Sequence, residues 1–437
     1  MSDEGAADVP GVVDEPSPPG GARSAKSRSL LFHRNFRLLL IGETTSKFGT
    51  SVTSVLLPVV AVTTLDAPAF LLGLLTAATW LPWLLIGLPA GAWVDQLPRR
   101  PVMLCANAVS AVLFASVPVA AWLGVLGIWH LVAVALLSGT AAVFFSTAYS
   151  AYLPSLVDTS ELMEGNAKLQ GSEQAAKVAG PGVGGLLAQT VGSASGLLLD
   201  AFSFVVSSMC LLAVRGVEPR PAVRSGRRLR AEISAGLRFV LRDPHVRILT
   251  AYGAAVNLAL AGYQAVLVVF LVRSVGVDSG TLGALVAFGG VGGIAGGLLA
   301  GRLTRWLGTA RGLLVVQLTA SPFGLLIPLT RPGAGLALFA VGSVVVLAGV
   351  VACNVIIVSF RQSYCPPEML GRVTATTLFL NYGTIPLGAL LGGALGSLLG
   401  ARPTMLIVTT ALVAANGFLL GAPLRTLRDF PAASARA

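Results

Sequence analysis

Long apolar runs, separated by short polar punctuation, dominate the chain from residue 36 to residue 424. At about 20 residues per crossing of roughly 30 Å of hydrocarbon, they predict twelve membrane spans near 36–62, 70–93, 102–123, 129–149, 167–190, 195–214, 248–272, 280–302, 312–330, 334–358, 374–398 and 403–424. Backbone groups in lipid must be satisfied within the segment, so the runs predict helices. A β-barrel would show strict alternation along each segment, and these segments are continuously apolar.

The polar exceptions inside the runs carry more information than the runs themselves. Glu43 and Lys47 lie one helical turn apart in the first span, and at 100° per residue Thr50 and Ser54 share their face. An isolated acid near the bilayer centre costs ~2.5–3.5 kcal/mol, so such a stripe must face the bundle interior or a watery cavity. Glu43 is eight residues into the span, about 12 Å deep at 1.5 Å per residue. Glu173 and Lys177 repeat the spacing in the fifth span, and Asp200 is a further acid in the sixth. Two readings stay open here: ion pairs that satisfy one another, or carboxylates that carry protons with a neighbouring lysine tuning them.

Composition agrees with a lipid solvent. Of 437 residues, 54% are hydrophobic and only 11% charged, against about 25% charged in soluble domains. The net charge of +11 would suggest nucleic acid in a soluble protein. Here the basic residues cluster between spans, which argues against nucleic acid and sets orientation. The connection 215–247 holds nine arginines against Glu218, Glu232 and Asp243. Arg99, Arg100, Arg302, Arg305 and Arg311 fall in connections of the same parity; Arg273, Arg331 and Arg402 are the main ones of the other. Both termini are therefore expected in the cytoplasm. Residues 1–34 and 425–437 read as cytoplasmic tails, the first of them disordered, and 215–247 as a basic linker. The linker divides a six-helix unit, 35–214, from a second, 248–424. "LGLLTAATWLPWLLIGLPAG" (72–91) aligns without gaps to "LGALVAFGGVGGIAGGLLAG" (282–301), an offset of 282 − 72 = 210. That offset predicts a duplicated six-span unit around a central cavity.

The remaining chemistry is mostly negative. Cys105, Cys210, Cys353 and Cys365 are scattered, and His33, His130 and His245 lie near span ends without metal-ligand spacing. "GGVGGIAGG" (289–297) approaches a dinucleotide fingerprint, but no strand precedes it. The sequence contains no phosphate loop and no hydrolase or zinc motif, so neither a cofactor nor a metal is expected.

Three motifs carry a resemblance. "GAWVDQLPRRP" places Gly91, Asp95, Arg99 and Arg100 after the second span, and "AGPGVGG" places Gly180, Pro181, Gly184 and Gly185 in the fifth. With "YLPSL" (152–156), they resemble the major facilitator superfamily, and within it the twelve-span bacterial exporters of the macrolide-efflux and enterobactin-export kind. The resemblance implies an all-α integral membrane fold of two pseudo-symmetric six-helix bundles, with spans 1, 4, 7 and 10 around the cavity. It also implies a latch at Asp95 that holds the halves together on the cytoplasmic side, and an exporter signature in the fifth span. Departures are visible: Gln96 and Pro98 replace a basic residue and a glycine, Ala167 and Ala176 replace upstream glycines, and Arg305 stands in the second half where Asp95 stands in the first. Ala135 occupies the place of an arginine associated with proton coupling in the family.

The expected function is a secondary transporter, functional as a monomer in a bacterial cytoplasmic membrane, that exports a hydrophobic or amphipathic small molecule by proton antiport. Its partners would be substrate, protons and lipid. Candidate coupling residues are Glu43, Lys47, Glu173, Lys177 and Asp200; Thr50, Ser54, Asn257, Tyr263, Gln264, Asn354, Asn381 and Tyr382 are candidates to line the cavity. A siderophore exporter and an uptake permease are rival transporters; a membrane sensor or a membrane enzyme are rivals of another class.

Overall fold

The computed structural model describes residues 33–94, 96–153, 156, 162–215, 227–421 and 424–431. Among them every regular element is helical and none is a strand. The first part of the chain forms α1 (Arg34–Thr63), α2 (Ala69–Leu85), α3 (Gly87–Val94), α4 (Arg99–Trp122), α5 (Ile128–Tyr152), α6 (Leu162–Leu187), α7 (Ser193–Gly196) and α8 (Leu198–Ala213). After α9 (Arg227–Arg242) come α10 (Pro244–Val269), α11 (Ser279–Leu307), α12 (Thr309–Ala320), α13 (Leu336–Tyr364), α14 (Pro367–Leu399) and α15 (Ala401–Ala414).

Eight helices among the described residues are long and apolar enough to cross a membrane, and a bent pair, Glu164–Gly196 with Leu198–Ala213, makes a ninth at a 72° break. Two sharp corners rest on single glycines: Gly308 and Gly400, each at φ 88°, are the sole residues between α11 and α12 and between α14 and α15. That left-handed φ is costly for any residue with a Cβ.

Two boundaries differ from the sequence reading. The seventh span begins at Pro244, not 248, because Asp243 is an N-cap: its Oδ1 accepts from the backbone N–H of His245 and Val246, both at 3.0 Å, with proline at the first helical position. Tyr364 donates its hydroxyl to the other Asp243 oxygen at 2.8 Å, which satisfies this buried carboxylate. The charged residues there look like loop by composition, and the cap is what makes them helix. The C-terminal segment is likewise no free tail over its described part. Asp429 accepts from the Thr309 N–H at 2.8 Å, the Arg428 carbonyl accepts from Ala310 and Arg311 at 3.1 Å, and the Phe430 ring lies 4.3 Å from Phe360. Three orphan donors at the start of α12 are thereby satisfied. The linker, in turn, contains α9, whose Gly236 is close enough to α14 that a Cβ would approach the Arg372 carbonyl to 2.8 Å.

The largest apolar cluster joins the two parts of the chain. It runs from Leu56, Val60 and Leu72 to Val266, Phe270 and Leu282, all at most 2% exposed. Contacts made without side chains surround it. A Cβ on Gly73 of α2 would lie 2.9 Å from the Gly393 Cα of α14, and one on Gly185 of α6 would lie 2.8 Å from the Gly283 Cα of α11. Polar clasps cross at the same end. Arg273 reaches Asp66 at 2.5 Å and the Val62 carbonyl at 3.3 Å, the Phe70 N–H donates to Ser397 at 2.8 Å, and Gln189 donates to Asp278. The Thr281 backbone N–H and hydroxyl, with the Gly280 N–H, hold the Asp278 carboxyl below the usual range, so this acceptor stays ionised at neutral pH. Asp66 adopts φ 46°, the sole non-glycine residue with positive φ among those described. At the opposite end, Cβ atoms on Gly91, Gly171, Gly301 and Gly371 would meet nothing within 4 Å. The backbone contacts and polar clasps between the two parts close the first of these ends, and the four glycines leave room at the other.

Candidate functional site

Between the two parts of the chain lies a cavity of about 950 Å³. Its walls differ in kind. From the first part come Glu43, Lys47, Glu173 and Lys177, with Thr50, Ser51, Thr53, Ser54, Asn107, Ser110, Asn166 and Gln170. From the second come mainly Leu260, Leu267, Leu285, Ile327, Phe339, Val346 and Leu412, with Tyr263, Gln264, Ser343 and Thr409 as the polar members and no charged side chain. A cavity that presents charge and hydroxyls on one side and hydrocarbon on the other fits an amphipathic small molecule.

The two Glu/Lys turns behave differently. Glu173 and Lys177 form the expected ion pair at 2.8 Å. Glu43 and Lys47 do not pair: Glu43 is 5% exposed and Lys47 is exposed to the cavity, and neither has a side-chain hydrogen bond or a salt bridge among the described residues. The neighbouring charges are Lys47 on its own helix and Glu173 on α6. Asp200 is fully buried and accepts from Thr53 at 2.6 Å and Ser203 at 3.1 Å.

Thr50 and Ser54 line the cavity beside Glu43, and Tyr263 and Gln264 line it from α10. Four second-half candidates do not. The Asn257 side chain donates to the Gly253 carbonyl one turn back, Asn381 packs its amide against Gly253, and Asn354 is exposed away from the lining. Asn257 thereby satisfies its own helix, a common fate of a lone amide in an apolar helix. Tyr382 stands behind the wall, 5.5 Å from Trp80 and 6.2 Å from Trp83, which do line it. Sequence reasoning missed these tryptophans and most of the α6 face. Asn166, Gln170, Glu173 and Lys177 follow i, i+4, i+7, i+11, a stripe that the same 100° rule could have exposed. Lining residues on α2, α6 and α11 also extend the wall beyond spans 1, 4, 7 and 10.

The fifth-span signature is a contact surface. A Cβ on Gly180 would meet the Ser51 side chain at 2.5 Å, one on Gly184 would meet the Val52 carbonyl at 2.9 Å, and one on Gly283 would meet the Pro181 carbonyl at 2.5 Å. α6 therefore touches α1 on one side and α11 on the other, backbone to backbone. Of the expected latch, Asp95 lies outside the described residues; Gly91 has open space around it, Arg99 is half-buried, and Arg100 donates to the Leu212 carbonyl of α8 at 2.7 Å. Ala135 lines the cavity with its methyl group, where the family arginine would stand.

The Major Facilitator Superfamily model matches residues 39–389. The chain belongs to the major facilitator superfamily. This superfamily member is accordingly a multi-pass membrane transporter rather than an enzyme. It is 27% identical to the multidrug efflux pump Tap of Mycolicibacterium fortuitum, over 86% of this chain and 92% of that protein. It is 28% identical to the enterobactin exporter EntS of Shigella boydii, over 75% of this chain and 79% of the exporter. In fold it resembles a bacterial homologue of the iron transporter ferroportin in its inward-facing state (TM-score 0.74, 16% identity, 90% of this chain and 99% of that one). The nucleoside transporter NupG is similar to a like degree (TM-score 0.71, 12% identity, 90% and 99%).

Proposed function

We propose that this superfamily member exports a hydrophobic or amphipathic small molecule across a bacterial cytoplasmic membrane by proton antiport. The observation that carries the reading is the two-faced cavity, with unpaired Glu43 on its charged wall and hydrocarbon opposite. The likeness to Tap supports a drug-like substrate and export as the direction. The likeness to EntS favours a siderophore as the second reading. The working unit is a monomer of twelve spans in two six-helix bundles, 35–214 and 248–424, joined by the basic linker 215–247, with both termini in the cytoplasm. In this reading the open end of the interface faces the cytoplasm and the glycine contacts shut the outer end. Asp95, with Gly91, Arg99 and Arg100, latches the open end when the cycle reverses it. Glu43 exchanges a proton for substrate, Lys47 tunes it, and Glu173–Lys177 holds α6 in place.

Everted membrane vesicles test the function. Ethidium should accumulate inside them when a proton gradient is imposed, and the accumulation should collapse on adding a protonophore. Gradient-independent accumulation, or none above vesicles lacking the protein, overturns the reading. Orientation has its own test, because the nine arginines of 215–247 favour a cytoplasmic place for that connection. In intact cells a single cysteine near Asp66 should react with an impermeant thiol reagent, and one near Arg227 should not. The reverse pattern inverts the topology.

A further inference from the structure

α8 carries a buried polar row that the cavity does not explain. Asp200, Ser203 and Ser207 follow i, i+3, i+7, so they share one helix face; their exposures are 0%, 2% and 4%. The face is turned to α1, which offers backbone there. A Cβ on Gly49 would approach the Ser203 Cβ to 2.8 Å, and one on Gly42 would approach the Cys210 Cβ to 3.1 Å. At one end of the row Asp200 holds hydrogen bonds only from hydroxyls, Thr53 at 2.6 Å and Ser203 at 3.1 Å. No charged side chain faces it from the packed elements among the described residues. At the other end, Ser207 and Glu43 border one small cavity of about 10 Å³, close to the space one water occupies. Ser207 also accepts from Asn107 at 3.0 Å. Glu43 borders the main cavity as well, so this carboxyl stands where the row and the substrate space meet.

We propose that the α1–α8 seam is a proton relay that supplies Glu43 from the outer side, with Asp200 as its entrance. The inference rests on the reading of Glu43 as the coupling acid. Asp200 takes a proton from outer water in the state where the glycine contacts have parted. The proton moves to the Ser203 hydroxyl, which gives up the bond it makes to the Asp200 main-chain carbonyl at 2.8 Å and releases its own proton, by way of a water that enters between them, toward Ser207 and then across the small cavity to the Glu43 carboxylate. One proton leaves Asp200 for each that arrives at Glu43, each hydroxyl ends as it began, and no electron moves. Glu43, facing Lys47 on α1, Glu173 on α6 and Tyr149 on α5, then discharges toward the cytoplasmic end.

The full chain in proteoliposomes, with ethidium as the probe and a pH dye for proton release, tests this. Asp200→Asn and the double variant Ser203→Ala/Ser207→Ala should each slow gradient-driven ethidium efflux by on the order of tenfold or more. Both should keep ethidium exchange and the proton released when ethidium binds, because those need Glu43 alone. Glu43→Gln should lose the proton release. Undiminished driven efflux in Asp200→Asn overturns the relay, as does loss of proton release in that variant, which would make Asp200 the substrate-linked acid. If Asp200→Asn does not fold, the double serine variant decides, and full driven efflux there overturns the relay. Driven efflux that survives Glu43→Gln, or no ethidium movement by the unsubstituted chain, instead overturns the proposed function and takes the relay with it.

Discussion

Glu43→Gln is expected to abolish gradient-driven efflux, a loss of about a hundredfold or more, while exchange of substrate across the membrane continues. Glutamine keeps the shape and hydrogen-bonding capacity of the side chain and removes its titration. The geometry separates this outcome from a structural one. A bonded pair would leave Lys47 stranded in the variant, lower membrane abundance, and be rescued by replacing Lys47 as well. Glu43 and Lys47 share no salt bridge, and Lys47 already faces the cavity, so abundance should stay near that of the unsubstituted chain. The measurement is driven efflux against counterflow in matched vesicles, with membrane levels from quantitative blotting. Full gradient-driven transport in Glu43→Gln/Lys47→Met would remove Glu43 from the mechanism.

The second large effect belongs to the shut end of the interface. Gly185 and Gly283 each leave no room for a Cβ, which would come within 2.8 and 2.7 Å of the partner's Cα. Gly185→Leu or Gly283→Leu inserts a branched side chain into backbone-to-backbone packing, which costs about 1–3 kcal/mol or more. The cost falls only on the state in which these helices touch, so the population shifts toward the state in which they part, by about tenfold per 1.4 kcal/mol. A single cysteine at Val286, which lines the cavity one turn inside the contact, should then label about tenfold faster from outside with an impermeant reagent. Efflux should fall in parallel, because the cytoplasm-facing state that loads substrate is depleted. Unchanged labelling in both variants would mean that this contact is not the closure. Gly73→Leu against Gly393 offers the same test on the other side of the interface.

Much of the fold is legible in the chain itself, because lipid permits so few backbone solutions. Apolar runs located the long helices, and the polar stripe on α1 drew attention to Glu43, Lys47, Thr50 and Ser54, which line the cavity. What hydropathy could not see was the part of each helix that leaves lipid. Pro244 begins α10 through a cap from a residue that composition assigns to the linker, and α9 is helical within a stretch read as loop. The second-half amides misled for a related reason: Asn257 bonds its own helix, and one-dimensional pattern does not distinguish an amide facing a cavity from one facing its own carbonyls. The opposite error hid Ser203 and Ser207. Serines are common in membrane helices, and only their alignment with Asp200 against the α1 glycines gives them meaning.

The difference between the two cavity walls bears on how such a transporter would change over generations. Among the described residues, every charged lining residue belongs to the first part of the chain, and the second part contributes hydrocarbon, two hydroxyls, an amide and a phenol. Substitutions at Leu260, Leu267, Ile327, Phe339 or Leu347 alter the shape that cargo must fit without touching a proton-bearing group. Selection under a new toxic compound should therefore collect its mutations on α10, α13 and the turn after α12. The groups proposed to carry protons on α1, α6 and α8 would pass through such a history unaltered.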